Sequence, residues 1–219
     1  MALARLKSVA GVTIPDTALC KAAVDLLESS SPEFLCTHCL RTYIFGNLAV
    51  RSIGRSVTDE EAAFCAAALH DLGLVPAYRH DNRFEVDGAD AARQFCSKHQ
   101  VPPERTDLVW HAIALHTSAG IATRLADEIA LVHLGAGLEL FGFGLNQVPP
   151  QLVEEVLEKY PRMNFKAEFR NLLIEHCRQN PGGQVLTWTD DVARTAGCTL
   201  QGQPIPTASQ LMSAAPYDE

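Results

Sequence analysis

The sequence lacks an excess of positive charge. Its 219 residues include 18 Lys and Arg against 26 Asp and Glu, which gives a formal net charge of -8. No cluster of basic residues offers the electrostatic surface that binding to a nucleic-acid backbone needs. We therefore expect no nucleic-acid partner.

Long apolar runs are missing as well. The longest apolar stretch, Ile129 to Leu145, contains His133 and Glu139, so it is too short and too polar to span a bilayer. The N-terminal residues lack the sustained apolar segment and the cleavage site of a signal peptide. We therefore expect a cytoplasmic protein without a membrane partner.

A second pair of closely spaced cysteines is also absent. The chain has 7 cysteines, an odd number, and most of them lie in the apolar helical patterns of buried, reduced thiols. Cys36 and Cys39 have C-x-x-C spacing, but a structural zinc site would need a second pair, and a redox motif would need βαβ surroundings. We predict that these two cysteines form neither a metal site nor a disulfide.

The two-residue alternation of half-buried strands is absent, and no internal repeat is present. Helical periodicity and capping signals instead predict helices over residues 16–28, 33–52, 62–71, 87–98, 104–116, 123–140, 151–159 and 165–179. Thr58 and Glu61 form a capping box before the third of them. The fold class predicted is therefore all-α. Residues 1–180 form a single-domain helical bundle, and residues 181–219 form a C-terminal extension or tail with little pattern.

The strongest chemical signal is the doublet His70-Asp71, which ends a helix that is otherwise Ala, Cys, Phe and Leu. Burial of both polar groups without partners would be costly. A divalent metal ion would remove that cost, because imidazole and carboxylate are good ligands for zinc, iron or manganese. The alternative is an ordinary helix end, at which Asp71 is solvated and His70 is hydrogen-bonded.

Other predicted helices also carry His or carboxylate groups in apolar surroundings. His38 lies on the second helix, and Glu139 lies on the long apolar helix near the middle of the chain. Helical bundles build metal sites from such inward-facing side chains. His111 and His116 are five residues apart, which is about 140° around a helix. We therefore expect that both cannot point at one centre, and that one lines the site while the other caps the helix end or hydrogen-bonds nearby.

Short sequence strings follow one another in a characteristic order: THCLRTYIFG at 37–46, ALHDLGL at 68–74, RFEVDGAD at 83–90, IALHT at 113–117 and GAGLE at 135–139. They resemble the HD-domain superfamily of metal-dependent hydrolases, and within it the cyanamide-hydratase-like family. The strings fall within residues 35–142, about half of the chain. Superfamily members usually carry Asp at the last ligand position, where this chain has Glu139.

The resemblance implies a helical bundle of the HD-domain type that binds a divalent metal, with zinc expected and iron or manganese as alternatives. Its expected metal ligands are His38, His70 and Asp71, with Glu139 either as the fourth ligand or as a residue that orients the base. The implied activity is that of a hydratase or hydrolase, of the lyase or hydrolase class. A metal-bound hydroxide would attack the carbon of a small nitrile-like substrate.

Further roles follow from the same resemblance. His111 or His116 would supply a proton to the nitrogen that gains charge, and Arg41, Phe84 and Thr117 would contact the substrate. For Arg41 the alternative is that it supports a buried carboxylate, because buried arginines are nearly always paired. The two tryptophans are interpreted as core or surface anchors.

Other functions within the superfamily remain open at this point. They are a phosphohydrolase for a nucleotide or phosphate ester, a dinuclear-iron oxygenase, and a non-catalytic regulatory protein. Few Lys or Arg lie near the motifs, which favours a neutral small molecule as the partner over a nucleotide. The sequence leaves the oligomeric state open, including a homo-oligomer.

Overall fold

The computed structural model describes residues 7–216. Most of the N-terminal stretch for which we predicted no signal peptide lies outside the described residues. So do the last residues of the predicted C-terminal tail. No helix within the described range is both long and apolar enough to cross a membrane.

The regular secondary structure of the described residues is almost entirely helical, as predicted. The helices are α1 (Ala18–Ser30), α2 (Glu33–Ser52), α3 (Glu60–Leu69), α4 (Phe84–Lys98), α5 (Pro103–Ala114), α6 (Asp127–Phe141), α7 (Pro150–Lys159), α8 (Phe165–Gln179), α9 (Asp190–Thr195) and α10 (Ala208–Ser213). Short 3-10 turns cover Leu72–Leu74, Ala122–Arg124, Leu145–Gln147 and Gly182–Gln184.

Two antiparallel hairpins complete the described secondary structure. One pairs β1 (Ser8–Val9) with β2 (Val12–Thr13), and the other pairs β3 (Thr199–Leu200) with β4 (Gln203–Pro204). In register, Val9 lies opposite Val12, and Leu200 lies opposite Gln203. The hairpins lie near the two ends of the described chain, so the helices alone position the central residues.

Helix α3 lies at the centre of the fold. Every residue from Ala62 to Leu69 is buried, and α3 contacts α1, α2, α4, α5 and α6. A helix that is apolar all round gains most when neighbours cover all its faces. This central position buries the C-terminal end of α3, where His70 and Asp71 follow.

Helices α2 and α6 pack against each other at unusually close range. A Cβ atom added at Gly135 would lie 2.1 Å from the carbonyl oxygen of Thr42, and one added at Gly46 would lie 2.4 Å from the carbonyl oxygen of Leu131. Only glycine at both positions permits this backbone-to-backbone approach. The crossing brings the N-terminal half of α2 beside the C-terminal half of α6.

Several helix starts differ from the sequence prediction. Helix α6 begins at Asp127, because a separate 3-10 turn covers Ala122–Arg124 at the predicted start. The side chain that caps α3 is Asp59, which accepts from the backbone N–H of Ala62, whereas the Thr58 hydroxyl donates to Glu128. Helix α4 begins three residues before Asp87, because that carboxylate accepts from the backbone N–H of His80 and from the side chain of Asn82. The α3 cap differs because a tertiary contact with Glu128 engages Thr58, and the α4 start differs because Asp87 binds the loop that precedes α4.

The segment after α8 is more ordered than its weak pattern predicted. It contains the 3-10 turn, α9, the β3–β4 hairpin and α10. Cys177 of α8 packs against Ala193, Cys198 and Ile205 in a small apolar cluster. The Arg194 guanidinium donates to the carbonyl oxygens of Ile205 and Pro206. These contacts hold short elements whose own periodicity is too brief to detect.

Candidate metal centre

Side chains from separate parts of the bundle meet at the end of α3. His38 lies on the first half of α2, His70 is the residue that ends α3, and Asp71 follows it directly. His116 lies just beyond the end of α5. None of the four is more than 5% exposed. The buried helix end therefore collects ionisable groups that solvent cannot satisfy.

The ligand atoms of His38, His70 and Asp71 lie within 4.8 Å of one another. The Nε2 atoms of His38 and His70 lie 3.3 Å and 3.4 Å from Oδ2 of Asp71. Nε2 of His116 lies 3.9 Å from Oδ1 of the same carboxylate. Three imidazoles thus converge through the same nitrogen on one buried acid.

The opposite nitrogen of each ring is held by a hydrogen bond. Nδ1 of His70 donates to the carbonyl of Ala67 at 2.8 Å, and Nδ1 of His116 donates to the carbonyl of Ile113 at 2.6 Å. Nδ1 of His38 lies 2.6 Å from Oε2 of Glu139. Histidines that bind metals are oriented in this way, with the other ring nitrogen free to act as the ligand.

The Asp71 carboxylate has an oxygen that the protein leaves unsatisfied. Its buried Oδ2 has no hydrogen-bond partner among residues 7–216, although two imidazole nitrogens face it. Acceptor nitrogens around an unpartnered carboxylate oxygen form a donor set that suits a cation. The residues present therefore fit a divalent metal ion held by His38, His70 and Asp71, with His116 beside them.

Electrostatics in the centre keep Asp71 ionised. Burial opposes this charge, but the facing histidines, His70 foremost, hold the pKa of Asp71 well below its usual range. Burial lowers the pKa of His70 to about 4. Burial also acts to lower the pKa of His38, but the carboxylates of Glu139 and Asp71 outweigh it and raise that pKa above its ordinary value.

Glu139, predicted as the last metal ligand, lies on the far side of the His38 ring. Its Oε1 accepts from Nε of Arg41 at 2.8 Å and lies 3.0 Å from Nη1 of Arg162. Burial would raise the pKa of Glu139, but His38, Arg41 and Arg162 lower it to about 2. Because donors occupy both oxygens, this carboxylate orients His38 and lies outside the cluster of ligand atoms.

Arg41 and His111 are not among the cavity residues, and the contacts of each match the alternative that the sequence left open. Arg41 is fully buried and donates to Glu139 and to the carbonyl oxygens of Tyr160 and Pro161. It therefore supports a buried carboxylate, which was its alternative role. His111 is exposed on α5, where its Nδ1 donates to the carbonyl of Asp107.

A cavity of about 450 Å³ opens above the cluster. Its floor is formed by His38, His70, Asp71 and His116, and Phe84 and Thr117 also line it. Most of the remaining wall is apolar, including Leu134, Leu140, Phe141, Phe143, Phe169 and Trp188. No Lys or Arg is among the described residues that line it.

The Thr117 hydroxyl is already engaged by a neighbouring acid. It donates to Oε1 of Glu85 at 2.5 Å, and the same carboxylate accepts two hydrogen bonds from Arg83. Burial would raise the pKa of Glu85, but Arg83, His116 and Thr117 together lower it. The Thr117 hydroxyl proton is therefore not free to bind a ligand in the cavity.

Among the cavity residues to which the sequence assigned no role, His133 and Trp188 carry polar ring groups. His133 lines the cavity, and its Nδ1 donates to the carbonyl of His116 at 2.7 Å. We had treated it only as a polar interruption of the apolar run, although a histidine in such a run is itself a signal. Trp188 was interpreted as an anchor, and it lies in the segment with the weakest pattern.

Cys36 and Cys39 do not belong to the candidate metal cluster of His38, His70 and Asp71. All seven cysteines are buried free thiols. Sγ of Cys36 lies 3.5 Å from the carbonyl oxygens of Leu27 and Ser31. Burial raises the pKa of Cys36 to about 11 and raises that of Cys39 well above its ordinary value.

A helical bundle with a buried His-His-Asp cluster beneath a cavity is the arrangement of a helical metal-binding domain. The chain matches the HD domain family over residues 35–215, a range that includes the whole cluster and every cavity residue named above. The chain therefore belongs to the HD domain family, whose members bind divalent metals and are typically metal-dependent phosphohydrolases. A comparison with curated proteins gives no match.

Proposed function

We propose that the protein is a metal-dependent hydratase or hydrolase for small, uncharged, nitrile-like molecules, as in the cyanamide-hydratase-like branch of the family. The observation that carries this proposal is the character of the cavity. Its floor holds the His-Asp cluster, its walls are apolar, and no Lys or Arg is among the described lining residues. Phosphate groups are recognised by cationic, charge-assisted donors, so this cavity favours an uncharged substrate over a phosphate ester.

His38, His70 and Asp71 would hold the metal, and His116 lies close enough to join them. Zinc suits this nitrogen-rich set, with iron and manganese as alternatives. When bound, a divalent ion in such a site lowers the pKa of a coordinated water toward neutrality and polarises an electron-rich substrate atom.

The side chains around the cluster would orient the ligands and transfer protons. Glu139 keeps His38 in the orientation that presents Nε2. His133 donates through Nδ1 to the carbonyl of His116, so its Nε2 is the nitrogen left to accept a proton or a hydrogen bond in the cavity. In nitrile hydration, the oxygen of water bonds to carbon while the nitrogen takes up a proton. If His116 binds the metal through Nε2, His133 is the histidine left to move that proton; otherwise both histidines are placed to do so.

The apolar walls would exclude bulk water from the reacting carbon. Phe84 and Phe169 lie directly beside the histidines: the Phe84 ring centroid is 5.6 Å from that of His116, and the Phe169 centroid is 5.4 Å from that of His38. In such surroundings the interactions of the charged centre are stronger than in water. The substrate would therefore meet the reactive group in a site with little competing solvent.

The test combines elemental analysis of the purified protein with turnover assays on cyanamide, simple nitriles and nucleotide monophosphates. We expect metal in the wild type, hydration of nitriles, and loss of both in His70→Ala with helical circular dichroism retained. The matched control is His111→Ala, an exposed histidine outside the cavity, which should retain metal and turnover.

Other outcomes would overturn the proposal in distinct ways. Hydrolysis of nucleotides without nitrile turnover would make the protein a phosphohydrolase. Two iron ions per chain would indicate a dinuclear oxygenase. Bound metal with no turnover on any substrate class would indicate a regulatory protein. Full metal content in His70→Ala would remove the cluster itself from the mechanism.

A further inference from the structure

The cavity is much larger than the smallest nitrile-like substrates require. Its volume of about 450 Å³ lies in the range of sites that bind drug-sized ligands. Cyanamide has only a few heavy atoms, so it would leave most of this space unfilled. Apolar surface that stays uncovered gains nothing on binding, whereas each buried Å² of apolar surface contributes about 25 cal/mol.

The Asp71 carboxylate and the imidazoles of His38, His70 and His116 cluster together in the cavity. The rest of the described lining is mostly apolar and rich in aromatic rings, and its polar members are Ser52, Thr117, His133 and Gln147. Phe141 and Phe143 stack on each other with ring centroids 5.1 Å apart, and they are 56% and 69% exposed. Large aromatic side chains exposed together commonly mark a binding surface. A substrate with a small polar head and an apolar body matches this arrangement.

Trp188 connects the deep and outer parts of the aromatic wall. Its ring centroid lies 6.2 Å from that of Phe84 and 6.2 Å from that of Phe141, in edge-to-face geometry with both. Aromatic rings favour such spacings, and a further ring can join them by the same contacts. The segment after α8 therefore supplies the side chain that joins the two parts of the wall.

The indole N–H of Trp188 is an additional sign of a missing neighbour. Its Nε1 atom is buried and has no hydrogen-bond partner within residues 7–216. A buried indole N–H usually finds an acceptor. Trp110, the other tryptophan, does so: its Nε1 donates to Asp90 at 2.8 Å. An acceptor on a bound molecule or an ordered water would supply what Trp188 lacks.

We propose that the cavity selects substrates that carry an aromatic or bulky apolar group on the reacting carbon, and that Trp188 determines this selectivity. The identity of the reacting group rests on the proposed function, whereas the binding of the apolar group to the aromatic wall does not. It assigns Trp188 to substrate specificity, while the metal cluster remains responsible for the chemistry.

Binding can be measured without turnover, because the chain contains only two tryptophans. In the metal-loaded Trp110→Phe variant, Trp188 is the single indole fluorophore. Benzamide, the hydration product of benzonitrile, should change its fluorescence saturably. Acetamide should bind at least about tenfold more weakly, since it lacks the ring that the walls would bury.

Substitution of Trp188 tests the specificity role by calorimetry and kinetics. Trp188→Ala should weaken benzamide binding about tenfold or more and raise the KM for benzonitrile, while kcat and the affinity for acetamide stay nearly unchanged. Trp188→Phe should restore most of the benzamide affinity, which separates selectivity from folding. Trp110→Ala is the matched control and should leave benzamide affinity at the wild-type level.

The outcomes separate this inference from the proposed function. Benzamide binding that weakens in Trp188→Ala, with no nitrile hydrated, supports the selectivity and overturns the activity. Equal kcat/KM for cyanamide and benzonitrile, with Trp188→Ala and wild type alike, overturns the selectivity and leaves the activity standing. Absence of saturable benzamide binding to the wild type also overturns the inference.

Discussion

The two sides of the His38 ring present two buried carboxylates with opposite properties. On one side, Oδ2 of Asp71 faces imidazole nitrogens and has no hydrogen-bond partner among the described residues. On the other, both oxygens of Glu139 are engaged by His38, Arg41 and Arg162. A buried carboxylate that has an oxygen without a hydrogen-bond partner is available to a cation. A carboxylate saturated by donors positions its neighbours instead.

The largest effect is expected on the unsatisfied side. Asp71→Asn keeps the shape of the side chain but removes the negative charge that the Nε2 atoms of the three imidazoles face. Metal affinity should fall by more than the roughly 10–100-fold given for supporting residues. Metal titration and elemental analysis measure this. Wild-type affinity in the Asn variant would show that the two carboxylates do not differ as described.

The saturated side should show a smaller loss of metal and a clear loss of stability. Glu139→Gln removes the negative charge and replaces one of the two acceptor oxygens with an NH2 group, so His38 and the two arginines can no longer all be satisfied. Metal affinity should therefore fall about 10–100-fold. The same change leaves the fully buried Arg41 without its carboxylate, which should cost about 3–5 kcal/mol of unfolding free energy. Glu139→Asp keeps the charge and should keep the metal.

A buried acid on the same helix provides the control for that variant. Glu128 is 4% exposed and accepts from Thr58 and from the backbone N–H of Asp59, away from the cavity. Glu128→Gln should lower stability without changing metal affinity. If Glu128→Gln lowered metal affinity as much as Glu139→Gln, the effect of Glu139 would be one of general destabilisation.

The smallest effect concerns pH and a third carboxylate. The pKa of Glu85 is lowered in the folded state, since Arg83, His116 and Thr117 outweigh its burial. Its contribution to stability is therefore complete above the unfolded-state pKa of about 4.3 and is lost as pH falls below that value. Below this pH, the wild type should lose about 1 kcal/mol more unfolding free energy than Glu85→Gln does. Parallel denaturation curves would contradict it.

The sequence predicted long, periodic elements well. The helix predicted over residues 33–52 is observed as Glu33–Ser52, because its apolar residues repeat over many turns. The elements after Asn180 escaped prediction, since α9 and α10 have 6 residues each and the strands have 2. Contacts such as those of Arg194 hold them, and such contacts are not written in local periodicity.

The site was predictable where chemistry and burial coincide. The doublet His70-Asp71 and His38 stand in apolar helices, and the structure brings their ligand atoms together. The position of Glu139 was less predictable, because helical spacing fixes the face of a residue but not which side of a partner ring it reaches. Likewise, the spacing of His111 and His116 indicated one site residue, and only the fold places His116 there.

The close approach of α2 and α6 at Gly46 and Gly135 sets the distance between His38 and Glu139 in the metal centre. Glu139 lies one turn after Gly135, and His38 lies one turn before Thr42, the residue whose carbonyl Gly135 touches. A single methyl group at Gly135 would push the helices apart and lengthen the contact between His38 and Glu139. The geometry of the metal centre therefore depends on two glycines that take no part in its chemistry. A substitution there could detune the site while every charge and every ligand remained unchanged.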